Sequence, residues 1–310
     1  MKAVLPALVR NDLEPRLPVG VEVCWFSENA EVTAGIVDAE IAWLDMARMS
    51  PNELVRRATA LKWLFTMAAG VDSFDLRLLS DRGVTLTNGS GLNSVAVAEY
   101  AVLGMLAAAK RYDQVVRLTD RREWTDAAPG RGELDGSRAL IVGFGAIGRR
   151  IADRLAAFNV AVTGVTRSGR DGTLGADAWR ARLGEFDWVV IAAPATGESH
   201  AMIGAAELAA MRPTAWLVNI ARGDLVDQEA LVSALRERRI GGAFLDTVTP
   251  EPLPPDHPLW AQENCLMSMH LSGRSQTQLV ARAQALFLEN LAAYIAGRPM
   301  QNIVDLSAGY

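Results

Sequence analysis

The amino-acid sequence predicts an α/β protein made of two doubly wound parallel sheets. Three observations support this. Short apolar runs alternate with helical stretches along the chain, one apolar run ends in a glycine-rich turn, and 310 residues exceed the length of a typical single domain. The alternation is typical of parallel strands joined by crossover helices. Half of the residues are hydrophobic, which is enough to bury a core in each domain.

The first part of the chain predicts one sheet, with strands at short apolar runs and helices at the stretches between them. The predicted strands are Met1–Leu5, Val21–Phe26, Ile41–Leu44, Leu61–Met67 and Val84–Thr87, and the predicted helices are Pro51–Ala60 and Phe74–Ser80. A long helix follows at Val95–Lys110. It is apolar nearly all round, which predicts burial between layers or at a subunit contact.

The second sheet is predicted after a polar segment at Asp120–Gly136. Its strands are Arg138–Val142, Ala161–Thr166, Trp188–Ala192, Ala215–Ile220, Gly242–Asp246 and Cys265–Met269, and its helices include Ile147–Phe158 and Gln228–Arg238. A final helix is predicted from Gln276 to Ala296, because Gly297 and Pro299 then supply a helix stop. This helix is long enough to pack back on the first sheet.

Composition excludes several classes of function. The net charge of -5 comes without a basic stripe, which argues against nucleic acid and against an anionic membrane surface. Cys24 and Cys265 are far apart and form no CxxC pair, so we expect buried thiols, and neither a disulfide framework nor a metal site. No signal peptide or long apolar run is recognisable, so we expect the protein in the cytoplasm.

The strand predicted at Arg138–Val142 runs into the sequence Gly143-Phe144-Gly145-Ala146-Ile147-Gly148. This is the GxGxxG pattern between a strand and a helix. Its first glycine permits the turn, its second lets backbone approach a pyrophosphate, and its third allows close packing of helix on strand. The pattern predicts a dinucleotide site, although a turn without a ligand is the alternative reading of these glycines alone.

Three polar residues each follow a predicted strand of the second sheet: Arg222, Glu251 and His270. Ligands of doubly wound sheets bind at the carboxyl ends of the strands, so these side chains are expected to face one crevice. An arginine suits a substrate carboxylate or carbonyl oxygen. A histidine beside a carboxylate can act as acid for reduction and base for oxidation. His200 and His257 stand in polar stretches and are expected to be solvated.

With these residues the chain resembles the D-isomer-specific 2-hydroxyacid dehydrogenase family over essentially its whole length. The resemblance rests on the glycine turn and on four further motifs: Asn219-Ile220-Ala221-Arg222-Gly223, Asp246 through Glu251-Pro252-Leu253-Pro254, His257-Pro258-Leu259-Trp260, and His270. It implies a flavodoxin-like substrate domain, residues 1–93 and 276–310, and a Rossmann NAD(P)-binding domain, residues 94–275, inserted into it.

The resemblance also implies roles for individual residues. Arg222 would bind the substrate, His270 would act as acid and base, and Glu251 would be its partner. The backbone N–H groups of Ala69 and Gly70 would bind the substrate carboxylate. The cofactor would be lined by the glycine turn and by Thr166, Arg167, Ser168, Pro194, Thr196, Ile220, Ala221 and Asp246.

The sequence departs from the family pattern in two loops. Thr249 stands where an acidic residue usually precedes Pro250, and Ser268-Met269 stand where Thr-Pro usually precedes the histidine. The predicted triad itself is unaffected, but the loop before His270 is expected to differ in shape.

The end of the strand Ala161–Val165 predicts which dinucleotide is preferred. NAD enzymes normally carry an acid here for the ribose 2′-hydroxyl, but this chain has Thr166-Arg167-Ser168-Gly169-Arg170. Arginine and hydroxyl groups suit a 2′-phosphate. We therefore expect NADP(H) as the preferred cofactor and NAD(H) as the second cofactor. Arg167 is expected to be the main discriminator, Ser168 a secondary one and Arg170 a further candidate.

The predicted function is NADP(H)-dependent reduction of a small 2-oxo acid, of the glyoxylate or hydroxypyruvate type, to the D-2-hydroxy acid by a homodimer. One alternative is an NAD-dependent dehydrogenase of a larger 2-hydroxy acid, although a long regulatory extension like that of phosphoglycerate dehydrogenases is absent from the sequence. The other is a nucleotide-sensing, corepressor-like binding protein on the same scaffold, which can retain all three polar residues.

Overall fold

A computed structural model of the chain describes residues 1–308. The chain divides into two compact units. One comprises Met1–Asn93 and the chain from Gln276 onward, and the other comprises Ser94–Ser275. Each unit holds one parallel sheet flanked by helices, so the predicted α/β class with two parallel sheets is confirmed. Gly309 and Tyr310, which the sequence analysis assigned to the first domain, lie outside the described residues.

Within residues 1–308 the chain forms eleven strands and ten α-helices. The strands are β1 (Lys2–Pro6), β2 (Glu22–Phe26), β3 (Ile41–Trp43), β4 (Trp63–Phe65), β5 (Thr85–Thr87), β6 (Arg138–Val142), β7 (Ala161–Val165), β8 (Trp188–Ile191), β9 (Trp216–Asn219), β10 (Gly242–Leu245) and β11 (Cys265–Met267). The helices are α1 (Arg10–Leu13), α2 (Asn29–Gly35), α3 (Pro51–Arg57), α4 (Leu76–Asp81), α5 (Ser94–Lys110), α6 (Tyr112–Arg121), α7 (Ala146–Ala156), α8 (Ala205–Ala210), α9 (Gln228–Arg236) and α10 (Leu279–Ile295).

The first unit is built on the sheet β2-β1-β3-β4-β5, in which every strand pair is parallel. This is the strand order of flavodoxin-like folds. The strands are nearly continuous runs of apolar residues because both faces of the sheet are covered. One face packs on α2, α3 and α4 through residues such as Val32, Leu54 and Leu79, which are almost fully buried.

The other face of this sheet buries an aromatic cluster against α10. Phe287 is fully buried and stacks on Trp63 at 5.1 Å between ring centroids, and it lies 5.5 Å from the rings of Trp43 and Phe65. Tyr294, two turns later, donates a hydrogen bond to Glu40 Oε1 at 2.7 Å. Burial of large aromatic side chains dominates core energetics, so α10 is held firmly on the sheet formed by the start of the chain.

The second unit is built on the sheet β11-β10-β9-β8-β6-β7, again with every pair parallel. The pairing is in register at the carboxyl ends of all six strands. The aligned residues are Met267, Leu245, Asn219, Ile191, Val142 and Val165. The residues that follow each strand therefore share one edge of the sheet, next to the reversal of strand order at β6.

Helix α5 packs on this second sheet. Gly104 lies against Phe244 of β10 so closely that a Cβ atom there would come within 2.4 Å of the ring, and Ala98, Ala101 and Met105 are buried in the same layer. Its apolar character is therefore explained by packing inside its own unit.

Several predicted elements need correction. The polar segment begins later than predicted, because Asp120 and Arg121 belong to α6, which follows α5 almost directly. This helix was missed because six of its ten residues are polar and none is buried. The short helices α2 and α8 were missed as well. Strand β11 ends at Met267 instead of Met269, because Met269 and His270 adopt left-handed backbone angles.

Two smaller findings concern the cysteines and the helices. Cys265 is buried and Cys24 only partly so. Burial raises the pKa of the Cys265 thiol to about 12, so the thiol stays protonated and unreactive. No helix within residues 1–308 has both the length and the apolar character needed to cross a bilayer.

Candidate active site

The glycine turn forms the start of the candidate site, between β6 and α7. Gly143 has a φ of +98°, and a Cβ atom on it would lie 2.4 Å from the backbone nitrogen of Ala193. Gly148, in the first turn of α7, faces the carbonyl oxygen of Gly143, and a Cβ atom there would come within 2.4 Å of that oxygen. Larger side chains at these two positions would push strand, turn and helix apart.

Gly145 differs from both because a Cβ atom on it would meet nothing within 4 Å. It is the N-cap of the eleven-residue helix α7, and no side chain caps the helix there. The free N–H groups at a helix N-terminus and the helix dipole both favour an anion. Open space beside a bare backbone is what a dinucleotide pyrophosphate requires, so the residues present fit that group.

The turn after β7 carries the residues predicted to select the dinucleotide. The Thr166 hydroxyl contacts the Thr173 hydroxyl at 2.7 Å and accepts a hydrogen bond from Gly169 N at 3.1 Å, which orders the turn. Arg167 and Ser168 are exposed. The Arg167 guanidinium forms an ion pair with Glu198 at 3.0 Å, and both side chains are more than 70% exposed.

Glu198 was not anticipated from the sequence. It lies in the loop after β8 that also contains Pro194 and Thr196, and Ser199 holds this loop by donating to Pro194 O and by accepting from Thr196 N, both at 2.8 Å. Residues 166–170, directly after β7, contain no acid, but this loop brings one to Arg167. Glu198 is 31 residues distant in sequence, so only the folded chain reveals the pair.

Arg222 is positioned by the buried side chain of Asn219 at the end of β9. Asn219 donates to Arg222 O at 2.8 Å and accepts from Ala221 N at 3.1 Å, which closes the turn that contains Ile220 and Ala221. Gly223 then lies against Val248, where a Cβ atom would come within 2.2 Å of the carbonyl carbon. The loops of Arg222 and Glu251 are therefore in contact.

Glu251 and His270 form a hydrogen-bonded pair in the candidate site. The His270 Nδ1 atom lies 2.7 Å from Glu251 Oε2, and each side chain is 38% exposed. The second carboxylate oxygen accepts from Val248 N at 3.2 Å. An ionised carboxylate only accepts hydrogen bonds, so Nδ1 is the donor and Nε2 is the ring nitrogen left for another molecule.

The carboxylate of Asp246 organises the turn that carries His270. Its oxygens accept hydrogen bonds from the Ser268 hydroxyl at 2.7 Å, from Leu271 N at 3.0 Å, from Ser272 N at 3.2 Å and from the Ser272 hydroxyl. The backbone oxygen of Asp246 also accepts from His270 N at 2.5 Å. Asp246 is 1% exposed, and its hydrogen bonds hold Met269 and His270 at φ of +53° and +55°. This backbone geometry is costly without such support.

Ala69 and Gly70 lie in the first unit, in the loop after β4. Asp45 anchors the start of this loop by accepting from the Thr66 hydroxyl at 2.5 Å and from Met67 N at 2.8 Å. Burial raises the pKa of Asp45, and these hydrogen bonds oppose the shift. Asn88 donates to Ala69 O at 2.8 Å. Within residues 1–308 the amide N–H groups of Ala69 and Gly70 make no hydrogen bond, so they are available to an anion.

The two remaining histidines, His200 and His257, differ in their exposure to solvent. His200 is exposed, as expected. His257 is half-buried, and its Nδ1 atom accepts from Leu259 N at 3.2 Å, so the expectation of a solvated side chain was wrong for it. Its ring instead caps the short helical turn that carries Trp260.

Comparison with known proteins identifies the family of this chain. The family model of the D-isomer specific 2-hydroxyacid dehydrogenase NAD-binding domain matches residues 102–272. The chain is also 35% identical over 266 residues to the glyoxylate reductase of Aeropyrum pernix, a match that covers 82% of this chain and 79% of that protein. This chain belongs to the D-isomer specific 2-hydroxyacid dehydrogenase family. The predicted family is thus confirmed, and the protein is an oxidoreductase.

Solved structures of other members of this fold agree with that assignment. An NADPH-dependent glyoxylate/hydroxypyruvate reductase from Sinorhizobium meliloti, crystallised with citrate, superposes with a TM-score of 0.82 at 25% identity, covering 99% of this chain and 98% of that one. An NAD-dependent formate dehydrogenase from Staphylococcus aureus, crystallised with NAD, gives a TM-score of 0.76 at 26% identity, covering 98% and 99%. The similar structures of this dehydrogenase fold therefore include both an NADPH-dependent and an NAD-dependent enzyme.

The glycine turn of this dehydrogenase yields a matched pair of variants. Gly145→Val adds a side chain that points into open space, so the free energy of unfolding should change by less than about 1 kcal/mol, while dinucleotide affinity should fall at least about tenfold. Gly148→Val forces a side chain onto Gly143 O and should cost about 1–3 kcal/mol of stability. Chemical unfolding and fluorescence titration with NADPH measure the two effects. A Gly145→Val variant that binds NADPH normally would contradict this reading of the turn.

Proposed function

We propose that this dehydrogenase uses NADP(H) to reduce a small 2-oxo acid, of the glyoxylate or hydroxypyruvate type, to the D-2-hydroxy acid. The observation that carries the proposal is the contact of His270 with Glu251 at the sheet edge that also holds the glycine turn. A proton donor and a dinucleotide-binding backbone at one edge are the two parts that reduction of a carbonyl needs.

The cofactor is proposed to lie along this edge. Gly143, Phe144, Gly145, Ala146, Ile147 and Gly148 would hold its pyrophosphate, and Thr166, Arg167, Ser168, Pro194, Thr196, Ile220, Ala221 and Asp246 are the further residues proposed to line it. When bound, the nicotinamide supplies the hydride that the carbonyl carbon accepts. The Asp246 side chain is already engaged by the His270 turn, so its proposed contribution to the cofactor is indirect.

His270 is proposed to protonate the carbonyl oxygen through Nε2. Because Glu251 accepts from Nδ1, it fixes the orientation of the ring and stabilises the positive charge of the doubly protonated form. After the proton has left Nε2, the same pair can accept one back, which serves oxidation in the reverse direction.

Arg222 is proposed to bind the substrate, because a guanidinium presents several donors in a fixed plane that matches carboxylate and carbonyl oxygens. The proposal for Ala69 and Gly70 is supported by their unused amide N–H groups and by the anchoring of their loop through Asp45 and Asn88. Such pre-positioned donors bind a carboxylate without reorganisation.

We propose a preference for NADP(H) over NAD(H) because the side chains of Arg167 and Ser168 suit a 2′-phosphate. Arg167 already pairs with Glu198, so a 2′-phosphate has to compete with that carboxylate for the guanidinium. This competition weakens the preference, which keeps NAD(H) as the second cofactor.

The assembly and location of the protein stay proposals. Since α5 packs on its own sheet, the expected homodimer rests on the family resemblance alone. The cytoplasmic location rests only on the expectation drawn from the sequence. No specific contact in the candidate site favours a nucleotide-sensing role.

The first prediction of this proposal concerns His270. Replacing it with alanine should lower kcat for glyoxylate about 100- to 10,000-fold, since a positioned general acid contributes that much. NADPH binding should persist, because the glycine turn is untouched. His200→Ala is the matched control and should retain full activity. Steady-state kinetics and NADPH titration measure both quantities, and a His270→Ala enzyme with normal kcat would exclude this histidine as the acid.

The second prediction concerns Glu198. Its replacement by glutamine frees Arg167 for a 2′-phosphate, so kcat/KM for NADPH should rise by up to about fivefold, the value of an exposed ion pair, with little change for NADH. Glu263→Gln, which removes a comparable exposed acid paired with Arg238, should leave both values unaltered. Kinetics with the two cofactors provide the measurement. A Glu198→Gln enzyme whose NADPH to NADH ratio stays constant or falls would contradict the assignment of Arg167.

A further inference from the structure

A cavity of about 460 Å³ opens beside the His270–Glu251 pair, inside the Ser94–Ser275 unit. Seven of its eleven lining residues are apolar. They are Leu245, Val248, Pro252, Leu253, Trp260, Met267 and Met269. The polar lining residues are Asp246, Glu251, His270 and Arg274.

Most polar groups in this lining are already satisfied. Asp246 accepts four hydrogen bonds from the turn at 268–272, and Glu251 is engaged by His270 and by Val248 N. The Trp260 indole N–H donates to Pro254 O at 2.9 Å. Apart from the free ring nitrogen of His270 and the guanidinium of Arg274, the cavity therefore presents hydrocarbon and aromatic surface to a ligand.

Two of the apolar residues that line the cavity are unusually exposed to solvent for residues of their size. Trp260 is 48% exposed and Met269 is 65% exposed. Apolar side chains clustered around a concave site are typical of ligand pockets, in which a few polar groups fix orientation and apolar walls bind the rest.

We infer that this cavity receives the side chain of the substrate, and that the preferred substrates are 2-oxo acids with apolar side chains of three or more carbons. The inference rests on the proposed function, because it takes His270 as the group that meets the carbonyl, and it replaces glyoxylate and hydroxypyruvate by larger 2-oxo acids as the preferred substrates. Glyoxylate has only a hydrogen in the side-chain position and hydroxypyruvate only a hydroxymethyl group, so both would leave the apolar walls uncovered. A branched aliphatic or aromatic side chain covers them.

Arg274 indicates the main alternative to a substrate with an apolar side chain. Its side chain is exposed and, within residues 1–308, makes no hydrogen bond or ion pair. A substrate with a second carboxylate at the end of its side chain would pair with this guanidinium. A single exposed cation is outweighed by seven apolar walls, so the apolar substrate is the one that the lining favours.

The test is a series of 2-oxo acids assayed with NADPH: glyoxylate, hydroxypyruvate, pyruvate, 2-oxobutanoate, 4-methyl-2-oxopentanoate, phenylpyruvate and 2-oxoglutarate. Burial of each additional methylene should raise kcat/KM about fourfold, so 4-methyl-2-oxopentanoate or phenylpyruvate should exceed glyoxylate and hydroxypyruvate by at least about tenfold. A higher kcat/KM for glyoxylate or hydroxypyruvate would overturn the inference. So would a preference for 2-oxoglutarate that Arg274→Met abolishes.

Wall variants test the location of the side chain. Leu253→Ala should lower kcat/KM for 4-methyl-2-oxopentanoate at least about tenfold more than for glyoxylate. Trp260→Ala should do the same and provides a second test if the first variant is unstable. Leu8→Ala removes an exposed leucine of the other unit and should leave every ratio as it is. Equal losses for all substrates in both wall variants would place the side chain elsewhere.

Failure of the inference is distinguishable from failure of the proposed function. If no 2-oxo acid in the series is reduced with either NADPH or NADH, the proposed function itself is wrong. If glyoxylate is reduced well and the apolar acids poorly, the function stands and the inference is wrong.

Discussion

Six parallel strands of the Ser94–Ser275 unit end in register, and the candidate site depends on this alignment. Because Val142, Ile191, Asn219, Leu245 and Met267 are direct neighbours across the sheet, the loops that follow them share one edge. The loop after β6 supplies bare backbone at a helix N-terminus, and the loops after β9, β10 and β11 supply Arg222, Glu251 and His270. A shift of one residue in any strand pair would turn the last side chain of that strand to the opposite face and displace the loop behind it.

The second requirement is a turn that holds His270 in an unfavourable backbone conformation. Consecutive residues with positive φ cost free energy, and the buried carboxylate of Asp246 offsets that cost through the serine hydroxyls and amide groups around it. This arrangement also explains how Ser268 can stand where the family pattern has threonine, because the Ser268 hydroxyl supplies one of the four hydrogen bonds. The proline of that pattern could not adopt the positive φ of Met269. His270 is thereby positioned by one side chain and oriented by a second, Glu251. Histidine rings at reactive sites need both kinds of support.

Much of this could be predicted from sequence, because strands buried on both faces are marked by apolar runs and because strand ends carry the ligands in this fold class. The glycine turn and the three polar residues follow from those two rules. Contacts between loops distant in sequence do not. The pairing of Arg167 with Glu198 and the engagement of Asp246 by the turn at 268–272 depend on how loops meet in three dimensions. Helix α6 escaped prediction for a different reason: six of its ten residues are polar and none is buried, so the segment resembles a polar loop despite the helical spacing of Tyr112, Val115 and Val116.

In the proposed reaction, groups at a single sheet edge deliver hydride to one face of the carbonyl carbon of a 2-oxo acid and a proton to its oxygen. Incubation with pyruvate and NADPH deuterated at nicotinamide C4, on the face from which hydride is transferred, followed by mass spectrometry and chiral chromatography of the product, tests this most directly. We expect D-lactate that carries one deuterium at C2. Formation of L-lactate, of a racemic mixture, or of lactate without deuterium at C2 would contradict the proposed reaction.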